Sequence, residues 1–151
     1  MSSIDPVRVL LADDNNLVRA SMRALLEKLS DVEVIGEARD GNEALELIEK
    51  CRTDVALIDI AMPAMDGLQL TSRLTKQLPD VHVLILSLYA DESFVRGALR
   101  AGATGYLLKG AAREELKLAV RAVAQGKLYL SSQLLAPLIE RSVNGDGTKP
   151  S

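Results

Sequence analysis

A chain of 151 residues is long enough for one domain with a real core. With 48% hydrophobic and 26% charged residues it has the make-up of a soluble globular protein; at 3% aromatic, Leu, Val, Ile and Ala must fill that core. A formal net charge of −3 argues against this chain alone wrapping nucleic acid, the single cysteine Cys51 excludes an internal disulfide, and no apolar run approaches the roughly 20 residues of a membrane helix. Met1 to Pro6 lacks a basic stretch followed by an apolar one, so no signal peptide is expected. Together with the lone cysteine, this gives a cytoplasmic location as the expectation.

Val7 to Ala12 reads as a first strand, closed by Asp13-Asp14-Asn15-Asn16, a polar cluster able to cap a helix. Val18, Met22, Leu25, Leu26 and Leu29 then recur at helical spacing, and Ser30-Asp31 ends that run. Val32 to Ala38 is a second strand, followed after Asp40-Gly41 by a helix carrying Ala44, Leu47, Ile48 and Cys51 on one face. Cys51 reads as a small core residue. Val55 to Ile58 is a third strand, and Asp59 stands where it surfaces. The segment Ile60 to Gly67, with Pro63 and the pair Asp66-Gly67, must turn.

Gly67 to Gln77 predicts a helix stopped by Pro79, and His82 to Ser87 a fourth strand. A weaker helix from Asp91 ends at Gly102. Thr104 to Leu108 is a fifth strand with Lys109 at its end, and Ala112 to Gln125 a last regular helix stopped by Gly126. Residues 127–142 hold Leu128, Leu130, Leu134, Leu135, Leu138 and Ile139 around Pro137 and read as a short helix or connector. Residues 143–151 read as a disordered tail.

Five strand signals alternating with five helices, about every 25 residues, imply parallel strands with right-handed helical crossovers. The expected architecture is a five-stranded flavodoxin-like sheet of order 2-1-3-4-5, covered by helices on both faces. In that order the first and third strands are neighbours, which brings Asp13, Asp14 and Asp59 to one edge.

Each of these polar residues has an ordinary reading when taken alone. Asp13 and Asp14 could be helix caps, Asp59 and Ser87 turn residues, Lys109 a surface lysine and Tyr106 a core aromatic. Crowded together, though, three carboxylates repel and call for a cation; an all-oxygen site suits Mg²⁺. An aspartate can attack phosphorus, Lys109 can compensate the transferred charge, and Ser87 can donate to a phosphoryl oxygen.

Asp13-Asp14 after the first strand, Asp59 after the third, Ser87 after the fourth, and Tyr106 and Lys109 on the fifth resemble the receiver domain of a two-component response regulator. Gly102 to Lys109, with Leu130-Ser131 beyond, is similar to the NarL/FixJ (LuxR-type) class. The resemblance implies a CheY-like receiver over residues 6–126, then a connector over 127–142, and a tail or linker over 143–151 to a C-terminal helix-turn-helix domain that this chain does not contain. It implies Asp59 as phosphoacceptor, and Mg²⁺ held by Asp13, Asp14, Asp59 and the Ala61 backbone carbonyl. Lys109 and Ser87 would bind the phosphoryl group, with Ser87 and Tyr106 as a switch pair.

Its implied partners are a sensor histidine kinase, a second copy on phosphorylation through the surface of the fourth helix, fifth strand and fifth helix, and DNA through the missing domain; no membrane is implied. It implies no enzyme, only a phosphoacceptor that assists its own phosphorylation and dephosphorylation. A stand-alone receiver in a phosphorelay is the alternative. An aspartyl phosphatase is disfavoured because Ala61 stands where a general acid is needed. A nucleotide site is disfavoured because Ala12 to Asn16 is acidic and lacks glycine. Gly110 follows Lys109 where many receivers have a cis proline, so a trans, more flexible loop is expected.

Overall fold

In the computed structural model, residues 5–134 are described. Six parallel strands form one sheet in the order β2-β1-β3-β4-β5-β6. They are β1 (Val7–Ala12), β2 (Val32–Ala38), β3 (Val55–Asp59), β4 (His82–Ser87), β5 (Gly105–Leu108) and β6 (Tyr129–Leu130). The helices are α1 (Asn16–Glu27), α2 (Gly41–Lys50), α3 (Gly67–Gln77), α4 (Glu92–Ala101) and α5 (Ala112–Ala124). Helices α1 and α5 pack on each other over one face, and α2, α3 and α4 follow in succession over the other. Every residue of β3 and β5 is buried, as a sheet covered on both faces requires.

Local signals set these boundaries. Asn15 caps α1, its side-chain oxygen accepting from the N–H groups of Leu17 and Val18. Asp66 starts α3 with a reciprocal capping box to Gln69. Arg121 on α5 grips Asp31 with two bonds of 2.7 and 2.8 Å, tying α5 to the α1–β2 turn.

Two expectations need correction. The sheet has six strands, not five, because part of the expected connector pairs with β5. Gly105 and Tyr106 lie in register with Tyr129 and Leu130. Leu134 beyond them is 2% exposed, so this segment is part of the core. Cys51 is half-buried at the end of α2 rather than a core residue. The remainder of the connector, 135–142, and the tail, 143–151, lie outside the described residues. Among the described residues no peptide bond is cis, and Lys109–Ala111 form one 3₁₀ turn.

Candidate functional site

The C-terminal ends of β1, β3, β4 and β5 deliver the site. Asp13 follows β1, its backbone N–H fixed to the Ala38 carbonyl at 3.0 Å and its own carbonyl held by the Arg19 guanidinium at 2.6 Å. Because Asn15 performs the capping, neither aspartate before it is consumed by the helix end. Asp13 Oδ1 accepts from the Asn15 N–H at 2.8 Å, while its buried Oδ2 has no hydrogen-bond partner. Asp59 ends β3, is 4% exposed, and accepts from the Ala61 N–H at 3.3 Å through Oδ1. Asp14 is exposed. One carboxylate oxygen from each of the three lies within 4.8 Å of the others.

Lys109 enters from the end of β5. Its Nζ stands 3.3 Å from Asp59 Oδ1 and 3.5 Å from Asp13 Oδ2. Three carboxylates against one ammonium leave two negative charges uncompensated. That deficit, a buried Asp13 oxygen that receives no hydrogen bond and an all-oxygen donor set fit a hard divalent cation.

The loop after β3 fixes the backbone at Asp59. Gly67 donates to the Ile60 carbonyl at 3.0 Å and closes the loop on itself. A side chain at Gly67 would strike the Asp59 carbonyl oxygen and come within 2.7 Å of Ile60 Cα, so only glycine fits. Ala64 adopts φ 67°, left-handed and unfavourable for a residue with a Cβ. Met62 is buried in this loop, and Met65 packs across it against Gly41.

Ser87 and Tyr106 meet at a third residue. Ser87 Oγ accepts from the Tyr89 N–H at 2.9 Å, and the Tyr106 hydroxyl donates to the Tyr89 carbonyl at 2.7 Å. The Tyr106 ring is fully buried; burial pushes its phenol up, and the Ser87 hydroxyl pulls it partly back. The Tyr89 ring stacks on Phe94 of α4 at 4.7 Å. Sequence reasoning paired Ser87 with Tyr106 but not through the Tyr89 backbone that both of them bond.

Burial, reinforced by the Asp13 charge and opposed by Lys109, pushes the Asp59 carboxyl up to about 6 from its ordinary 3.8. A carboxyl raised in the folded state stabilises the fold fully below its unfolded value and loses that contribution as pH rises through the folded one. Other shifted carboxyls titrate lower. Asp31 is held down by Arg121. Glu37 and Glu115 are raised by burial, but Arg19 and Arg23 for the first, Tyr129 and Ser132 for the second, bring them below their ordinary values. The metal-free melting temperature is therefore expected to fall from about pH 5 to about pH 7. A divalent cation should raise it more at the upper end. A metal-free melting temperature that climbs across this interval would contradict a buried carboxylate that resists ionisation.

An acidic pocket with one lysine, at the edge where the strands of a doubly wound α/β sheet end, defines a domain built to handle charge at its switch point. The chain belongs to the response regulator receiver domain family, whose pattern matches residues 9–121. It is 40% identical over 143 residues to the transcriptional regulatory protein DegU of Brevibacillus brevis, across 93% of this chain and 61% of the relative. It is 38% identical to LiaR of Bacillus subtilis, across 89% of this chain and 64% of that protein. The chain thus spans under two thirds of the length of these relatives.

Among solved structures, the receiver domain of the response regulator NarL from Mycobacterium tuberculosis aligns with TM-score 0.79 at 40% identity, over 82% of this chain and 100% of that one. A LuxR-family response regulator from Aurantimonas aligns with TM-score 0.87 at 28% identity, over 92% of this chain and 99% of that one.

Proposed function

We propose that this chain is a phosphorylation switch in which Asp59 accepts a phosphoryl group. One observation carries the reading: the Asp59 carboxylate lies 3.3 Å from the Lys109 ammonium and beside the carboxylates of Asp13 and Asp14. An Asp59 oxygen attacks the phosphorus of a phosphohistidine on a sensor kinase. A P–O bond forms as the P–N bond breaks. The electron pair leaves with the imidazole nitrogen, which takes a proton from solvent. Lys109 meets the phosphoryl oxygens as a point charge. Asp13, Asp14, Asp59 and the Ala61 carbonyl would hold Mg²⁺, which when bound neutralises charge between carboxylate and phosphoryl oxygens.

The new group brings a charge of about −1.5 to −2 and three strong acceptors. Ser87 is then drawn to donate towards it, and turning its hydroxyl releases the Tyr89 N–H. The loop loses one of its two ties, with Tyr106 holding the other and the Tyr89–Phe94 stack leading into α4. This biases an existing equilibrium between two arrangements. Tyr106 is already fully buried, so in this reading the movement belongs to the Ser87–Tyr89 loop.

The readout surface is formed by α4, β5 and α5, with β6 along its edge, and Leu118 of α5 stands exposed on the molecule. That surface would pair two copies and so control transcription through a C-terminal DNA-binding domain in a longer cytoplasmic protein. The names of the relatives, transcriptional regulatory proteins, support this part.

Acetyl phosphate with Mg²⁺ tests the reading. One phosphoryl group per chain, labile to hydroxylamine and mapped to Asp59, is expected. Labelling at another residue, or none at all, would overturn it.

A further inference from the structure

The family pattern ends at residue 121, yet a segment beyond it is built into the scaffold of the site. After α5 the chain returns along β5. Tyr129 donates to the Thr104 carbonyl at 3.2 Å and Ser131 to the Tyr106 carbonyl at 3.0 Å. Strand β6 stops at Leu130, so the Leu108 N–H at the end of β5 has no ladder carbonyl opposite it. The Ser131 hydroxyl takes that place, accepting from Leu108 at 2.8 Å. Ser131 is fully buried, so water cannot substitute.

Leu108 is the last residue of β5, and the next residue is Lys109. The 3₁₀ turn that begins there has no side-chain cap of its own. Lys109 must place its ammonium between Asp13 and Asp59 from that one backbone position. The strap is itself clamped. Glu115 of α5 receives the Tyr129 hydroxyl at 2.7 Å, the Ser132 N–H at 3.2 Å and the Ser132 hydroxyl at 2.8 Å. Leu134, whose N–H bonds to the Ser131 carbonyl at 2.8 Å, anchors the far end in the core.

We propose that Ser131 is a positioning residue for the phosphoryl site, fixing the end of β5 through the Leu108 N–H so that Lys109 meets the group arriving at Asp59. The proposal rests on the phosphoacceptor reading of Asp59. It extends the working receiver from residue 126 to at least Leu134. It also makes the coupling reciprocal: a strap that favours phosphoryl binding is itself held more firmly once the group is bound.

The test compares acetyl phosphate labelling rates and Mg²⁺ affinities, the latter by calorimetry, in the full chain. Variants are Ser131→Ala, Glu115→Ala and, as a control for stability alone, Leu74→Ala in the core under α3. Ser131→Ala is expected to slow labelling about tenfold, the order that a small misplacement of a charge-compensating group produces. Its Mg²⁺ affinity should hold or rise, because a displaced Lys109 ammonium competes less with the metal for the carboxylates of Asp13 and Asp59.

Glu115→Ala, which releases the clamp near the surface and buries no orphan, should slow labelling about threefold. Leu74→Ala should label at the wild-type rate. Wild-type labelling in Ser131→Ala overturns the proposal, as does loss of rate and Mg²⁺ affinity together, which marks general collapse. If Ser131→Ala does not fold, wild-type labelling in Glu115→Ala overturns it. A wild-type chain that does not label overturns the Asp59 reading instead.

Discussion

Asp59→Asn is expected to abolish Mg²⁺-dependent labelling by acetyl phosphate, a fall of about a thousandfold or more, while making the metal-free protein more stable. The loss follows from chemistry. An amide oxygen is a poor nucleophile towards phosphorus, and no other carboxylate occupies the end of β3. The gain follows from burial. Asp59 is nearly inaccessible, faces the Asp13 charge, and has its carboxyl raised to about 6. At neutral pH the fold carries the strain of keeping it ionised. Removing that charge should stabilise the metal-free form by about 1 to 3 kcal/mol near pH 7, and by little below the ordinary carboxyl range. Added Mg²⁺ should narrow the gap, since the wild-type site gains a ligand set the variant lacks. Denaturant titrations in EDTA and in Mg²⁺ measure both halves. An Asp59→Asn chain less stable than wild type without metal would mean that the Lys109 contact outweighs the burial of the carboxylate.

Gly67→Ala is expected to cost about 3 kcal/mol or more and to impair the site with the fold. The methyl group would meet the Asp59 carbonyl oxygen and Ile60 Cα, which are backbone and cannot rotate away. The loop has no slack to absorb it. Gly67 N–H already closes on Ile60, Asp66 is engaged in the capping box, and Ala64 is already in a left-handed conformation. Thermal denaturation reads the first effect; labelling of the folded fraction reads the second. Gly110→Ala is the natural control, since a Cβ there meets nothing within 4 Å. Equal stability of Gly67→Ala and wild type would show that the loop can open where the packing says it cannot.

The strand ends were legible because each carries a polar residue with a job. Asp13, Asp59, Ser87 and Lys109 each close an apolar run, and parallel order places them together without further information. Capping was not legible in the run Asp13 to Asn16, where several residues could serve. Asn15 takes that role because the helix axis presents the Leu17 and Val18 N–H groups to it. The sixth strand escaped because Leu128-Tyr129-Leu130 is too short a run to separate from a helix turn, with Pro137 close behind. The role of Ser131 escaped for a deeper reason. Its partner is a single backbone N–H left over where one strand outruns its neighbour, and no periodicity records that. The part played by the Tyr89 backbone became visible only once the hydroxyls of Ser87 and Tyr106 were seen to converge on it.

Strand β6 also bears on how this domain avoids its own kind. Every open sheet has two margins that another chain could extend. One is β2, where Ile35 is an extra residue that breaks the register between Val9 and Leu10, and where Glu33 and Glu37 add charge. The other would be β5, the wholly apolar run Gly-Tyr-Leu-Leu. Laying Tyr129–Leu130 against it replaces a sticky margin with one two residues long, the Ser131 hydroxyl covering the last free N–H. A receiver trimmed at Gly126 would bare that margin, and its self-association would then say more about the cut than about signalling.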